Sequence, residues 1–140
     1  MDPTIRAVVD ANVILRYLLE DIPAQADAAE AMFEGIHSEE TRVWCDPVTL
    51  AEVVHALTRG YKLEPAHIVK SLWSIVIAPG FLIPNKVLYL RALRLFATSV
   101  SRFGDACACA AAMEQTEGRL YSFDKKIPKV EGITRLEEAI

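Results

Sequence analysis

Four carboxylates in this chain stand where they could do chemistry together: Asp10, Glu52, Asp105 and Asp124. Asp10 closes the apolar run 5–9 and is followed at once by the helical pattern Val13-Ile14-Leu15-Arg16-Tyr17-Leu18-Leu19. Asp124 closes the extended stretch Arg119-Leu120-Tyr121-Ser122-Phe123 in the same way. Glu52 and Asp105 fall in what read as the first turns of helices, one opened by Asp46-Pro47 and the other near Gly104. In a parallel sheet the carboxyl ends of strands and the amino ends of the following helices share one edge, and ligands of open α/β sheets bind there. Acids far apart in sequence can converge on that edge.

The chemistry follows from their type. Two like charges ~4 Å apart at a partly shielded site repel by roughly 4 kcal/mol, so a cluster of four calls for a cation. Ligation by carboxylate oxygens alone suits Mg²⁺ or Mn²⁺, not zinc or copper. Such ions lower the pKa of a bound water and brace the departing oxygen in phosphodiester hydrolysis. Each acid also has an ordinary reading. Asp10 could cap the first helix, Thr49 to Glu52 matches a capping box, Asp105 could be an N-cap and Asp124 a turn residue. Neighbours extend the acidic set: Asn12 could orient Asp10 or a water, and Ser122, two positions before Asp124, could bind a water or a phosphate. Arg16, Lys125 and Lys126 are candidate contacts for substrate phosphates. His37, His55 and His67 pair with no candidate nucleophile and read as core or surface residues.

The elements that must position these residues alternate. Helices are expected over 12–20, 24–36, from Asp46-Pro47 to Gly60, from Glu64-Pro65 to about Ala78, over 85–102, and from Gly104-Asp105 to about Gln115. The third should bury Ala51, Val54 and Leu57. Strands are expected over 5–9, 41–45, 81–83 and 119–123, with a last extended piece near Ile133-Thr134. Strand–helix alternation implies βαβ units. The expected fold is a three-layer α/β/α domain with a central parallel sheet of about four or five strands, a single domain over 1–140.

Composition bounds the rest. At 52% hydrophobic and 24% charged, the chain reads as globular and not disordered. A net charge of −4 disfavours a protein that grips nucleic acid by charge alone, but not a metal-dependent enzyme acting on phosphate esters. The most apolar region, 68–84, is interrupted by Lys70, Pro79 and Gly80, so no membrane span is expected. The odd set Cys45, Cys107 and Cys109 lacks metal-ligand spacing and reads as small core residues of a protein in a reducing cytoplasm.

The ordered set Val9-Asp10-Ala11-Asn12-Val13-Ile14-Leu15-Arg16-Tyr17-Leu18-Leu19, Leu50-Ala51-Glu52-Val53-Val54, Phe103-Gly104-Asp105-Ala106 and Tyr121-Ser122-Phe123-Asp124-Lys125-Lys126 resembles the PIN-domain ribonucleases. It is most similar to the VapC-type toxins of toxin–antitoxin modules, over nearly the whole chain. The resemblance implies an endoribonuclease dependent on Mg²⁺ or Mn²⁺, with Asp10, Glu52, Asp105 and Asp124 as the catalytic and metal-binding acids. It places Ser122 at the family's Ser/Thr position. It also implies an RNA substrate, a cognate antitoxin and a homodimer. A PIN-type RNA-processing nuclease outside such a module is the nearest alternative. A haloacid-dehalogenase-like phosphatase, which also opens on a strand ending in Asp, needs a second Asp where this chain has Asn12. A non-catalytic RNA-binding module gains nothing from crowded negative charge beside phosphates.

Overall fold

Branched and aromatic residues build three short strands that run side by side. Strand β1 (Ile5–Val8) pairs in parallel with β2 (Arg42–Trp44), and β2 pairs in parallel with β3 (Phe81–Leu82). The strands belong to a computed structural model that describes residues 1–127 and 130–140. Between the strands lie α1 (Ala11–Leu19), α2 (Pro23–Ser38), α3 (Pro47–His55) and α4 (Pro65–Val76). These elements form one compact unit, Met1–Lys86. A second unit, Val87–Ile140, holds nearly all of α5 (Lys86–Thr98), with α6 (Phe103–Gln115), β4 (Arg119–Tyr121) and β5 (Thr134–Leu136).

In the first unit the core is aliphatic with two sealed phenylalanines. Ile14, Phe33, Leu50, Leu72 and Phe81 are fully shielded from solvent. The rings of Tyr17 and Phe33 stack with centroids 4.3 Å apart, which locks α1 to α2. Burying a side chain such as Phe33 stabilises the unit by ~1.5–3 kcal/mol. Gly80 lets β3 start tightly against the end of α2. A Cβ there would run into the carbonyl oxygens of Thr41 and Ile36, and the Gly80 N–H donates to the Ile36 carbonyl at 3.0 Å. In the second unit, Leu93, Ala106, Cys109 and Ala110 are fully buried, and Phe96 meets Phe103 edge to face at 5.9 Å.

The α/β class and the alternation of elements agree with the sequence. The sheet does not. The central sheet has three strands, not four or five, because β4 and β5 pair with each other in parallel, Arg119 opposite Thr134 and Tyr121 opposite Leu136. The carboxyl-terminal strand occupies the ladder of β4, so these two make a separate two-stranded sheet in the second unit. Gly118, in the left-handed region at φ +92, permits the approach, since a Cβ there would collide with the Gly132 carbonyl.

Helix boundaries shift for local reasons. Residues 56–60 form a π-helical turn behind α3, closed by the Tyr61 N–H on the Ala56 carbonyl at 3.2 Å. The buried face of α3 is Leu50, Val53 and Val54, continued by Leu57; Ala51 is exposed, contrary to its expected place in the stripe. Helix α5 stops at Thr98, short of 102, where the Ser99 and Val100 N–H groups both turn back to the Leu95 carbonyl at 2.8 Å. Among the described residues, no helix is long and apolar enough to cross a membrane.

Candidate active site

The end of β1 sets the place of Asp10. The Val9 N–H donates to the Trp44 carbonyl at 2.8 Å, the last link between β1 and its neighbour, and Val9 is buried. Asp10 then leaves the sheet with extended dihedrals and becomes the N-cap of α1, its Oδ1 accepting from the Asn12 N–H at 2.6 Å. The cap occupies one carboxylate oxygen. Asp10 and Asn12 line a hollow of about 410 Å³ between α1 and α2, whose far wall is formed by Ala28, Ala29 and Met32. Arg16 lines it too, but its Nη1 is held by both oxygens of Asp21 at 2.7 and 2.8 Å. The Tyr61 hydroxyl, ahead of Asp21, shifts the Arg16 guanidinium still higher above its usual pKa.

Glu52 differs from its expected position. Asp46 caps α3 by accepting from the Val48 N–H at 2.8 Å, with Pro47 first in the helix, so Glu52 lies in the second turn and not the first. This geometry also removes the capping box as an account of Glu52. Its side chain is exposed and makes no hydrogen bond or ion pair among the described residues. It does not line the hollow beside Asp10.

In the second unit two of the acids line one cavity. Asp105 lies in the first turn of α6, whose N-cap is Arg102, and a carboxylate there is favoured by the helix dipole. Asp124 follows β4 in a turn: its Oδ1 accepts from the Lys126 N–H at 2.8 Å, and its own N–H donates to Ser122 Oγ at 3.1 Å. Ser122 is pinned in turn, its N–H on the Leu136 carbonyl at 3.0 Å and its carbonyl accepting from Arg135 Nη1 at 2.9 Å. Asp105 and Asp124 line one cavity of about 370 Å³, shared with Arg102 and Lys126. Lys125 is exposed and lies outside that lining. The presence of Arg102 escaped the sequence reading, because nothing in the Ser101-Arg102-Phe103 stretch sets it apart until the start of α6 is known.

Among the described residues no three His, Cys, Asp or Glu side chains are gathered closely enough to hold a metal ion by themselves. What the second unit offers is an all-oxygen donor set of two carboxylates on one cavity, with Ser122 against Asp124, and this is the chemistry that Mg²⁺ or Mn²⁺ accepts. The thiols offer no alternative. Burial pushes Cys45 up to about 12, with Asp46 adding to it, and Cys107 up to about 11. Burial raises Cys109 as well. All three stay protonated at neutral pH and make poor nucleophiles or metal ligands.

A parallel α/β fold with acids at strand ends and at the start of a helix fits a phosphodiester hydrolase. The PIN domain model matches residues 7–133, and the chain belongs to that family. No curated protein and no solved structure gives a match. Membership implies a nuclease in general terms, and PIN-domain nucleases generally use divalent metals.

Proposed function

We propose that this protein is a Mg²⁺- or Mn²⁺-dependent endoribonuclease, the VapC-type toxin of a toxin–antitoxin module. The observation that carries the reading is the cavity of the second unit, where Asp105 and Asp124 face the same space beside two cations. Asp10 and Glu52 complete the acidic set by resemblance. In this reading Asp105 and Asp124 hold the metal, with Ser122 keeping the Asp124 backbone in place. Bound there, a divalent cation supplies Lewis-acid chemistry that activates water and offsets charge on the leaving oxygen. Asp10 presents Oδ2 while Oδ1 is tied to the helix, so its rotamer is set before substrate arrives. Asn12 steadies that arrangement through its backbone N–H. RNA is the substrate, the working form is a homodimer in the cytoplasm, and a cognate antitoxin restrains it. The three unpaired cysteines fit a reducing compartment.

Incubating the protein with single-stranded RNA tests the reading. Internal cleavage should require Mn²⁺ or Mg²⁺, stop with EDTA and vanish in Asp105→Asn. Absence of cleavage together with no Mn²⁺ binding by calorimetry would leave only a non-catalytic module. Growth arrest on expression, relieved by a co-expressed upstream partner, separates a toxin from an RNA-processing enzyme of the same chemistry.

A further inference from the structure

The cavity of the second unit is electrically balanced in a way that two acids alone would not be. Its lining carries Asp105 and Asp124 against Arg102 and Lys126. Had the cations served only to neutralise the acids, each would be expected in an ion pair. Among the described residues neither Arg102 nor Lys126 makes one. Their positions are nonetheless fixed at the base. Arg102 lies between buried Val100 and buried Phe103 and holds extended dihedrals at φ −121 and ψ 134. Its carbonyl accepts from the Ala106 N–H at 3.0 Å, which ties its backbone to the first turn of α6. The Lys126 N–H is bound to Asp124 Oδ1, which brings that residue back to the same cavity. Both side chains are exposed. Anchored backbones with free, solvated cationic heads suit the capture of an anion from solution.

We infer that Arg102 and Lys126 are substrate-positioning residues, which grip the RNA phosphates flanking the one placed at Asp105 and Asp124. The inference rests on the nuclease reading and deepens it. A polyanion approaching a chain of net charge −4 is repelled at long range, so cations at the acids themselves must supply the local attraction. Arg102 can meet two phosphate oxygens with its planar fork, whereas Lys126 acts as a point charge.

The test is fluorescence anisotropy of a labelled single-stranded RNA against the full chain in EDTA, where no cleavage occurs, repeated over a range of salt. Arg102→Gln should weaken binding roughly tenfold and lower the slope of log K against log salt by about 0.7, one phosphate contact on a single strand. Lys126→Gln should lower the slope similarly. Arg102→Lys should restore the slope but not the full affinity. In Mn²⁺, Arg102→Gln should raise KM more than it lowers kcat, and Mn²⁺ affinity should not weaken. Unchanged affinity and slope in both Gln variants would overturn the inference while leaving metal-dependent cleavage, and so the nuclease reading, intact. Conversely, a wild-type protein that binds RNA through Arg102 yet never cuts it would sink the nuclease reading alone. If the wild-type protein neither binds nor cuts RNA, both fall.

Discussion

Asp10 has two separable duties, and a pair of substitutions pulls them apart. Its Oδ1 accepts from the Asn12 N–H at 2.6 Å and so caps α1, while Oδ2 is available for chemistry. Asp10→Ala removes both. Loss of an N-cap of this kind costs ~1 kcal/mol, which in a protein of this size lowers Tm by about 3–4 °C. Asp10→Asn keeps an acceptor in the same place, and Asn caps helices about as well as Asp, so Tm should move by less than about 1 °C. The negative charge that the family resemblance assigns to Asp10 is gone in both variants. RNA cleavage in Mn²⁺ should therefore fall at least about a hundredfold in each. The expected pattern is equal loss of activity with unequal loss of stability, read by thermal unfolding and a gel-based cleavage assay on the same preparations. Cleavage by Asp10→Asn within tenfold of wild type would refute the catalytic duty. An Asp10→Asn protein that melts as early as Asp10→Ala would refute the cap.

Gly80→Ala should lower urea stability by ~1–3 kcal/mol, because the added methyl meets the Thr41 and Ile36 carbonyl oxygens, which belong to backbone and cannot swing away. Gly60→Ala, with open space around it, is the control and should change little. Stability should also fall in alkali. The Cys45 and Cys107 thiols are pushed up in the folded state to about 12 and about 11 from the usual 9.0, so their contribution is complete below pH 9. It is lost at up to ~1.4 kcal/mol per pH unit per thiol as the unfolded thiols ionise. Cys107→Ala should flatten the urea stability profile between pH 9.5 and 10.5 by less than that amount, because the half-buried thiol is partly screened by solvent; an identical slope would show that the thiol ionises equally in both states.

The order of elements was legible because it rests on local patterns: Asp46-Pro47 opens α3, Glu64-Pro65 opens α4, and Val9 to Asn12 turns a strand into a helix. What escaped the sequence was pairing at a distance. Whether β4 joins the central ladder or takes β5 as its partner depends on where the Thr134–Leu136 backbone lies, and side-chain alternation carries no such information. Glu52 was misplaced for a different reason. A helix capped by Asp46 and opened by Pro47 already puts Glu52 sixth, in the second turn, and the capping-box spacing of Thr49 and Glu52 carries no weight once Asp46 holds the cap.

The acids themselves show why capping and function are not rival explanations. Asp10, Asp46 and Asp124 each accept, through Oδ1, the N–H two residues on. The motif fixes the carboxylate through Oδ1 and leaves Oδ2 outside that bond, as a metal ligand or a proton acceptor requires. Yet Asp46 shares the motif without belonging to the acidic set that the family resemblance defines. A cap therefore prepares a carboxylate for chemistry without assigning it any. The assignment comes from company: Asp124 has Asp105, Arg102 and Lys126 around one cavity, and Asp46 lines neither that cavity nor the hollow beside Asp10. Asp46→Asn should accordingly leave both cleavage and stability near wild type, whereas Asp124→Asn should keep its turn and lose cleavage. Equal loss of cleavage in the two variants would mean that the cavity does not mark the active acids.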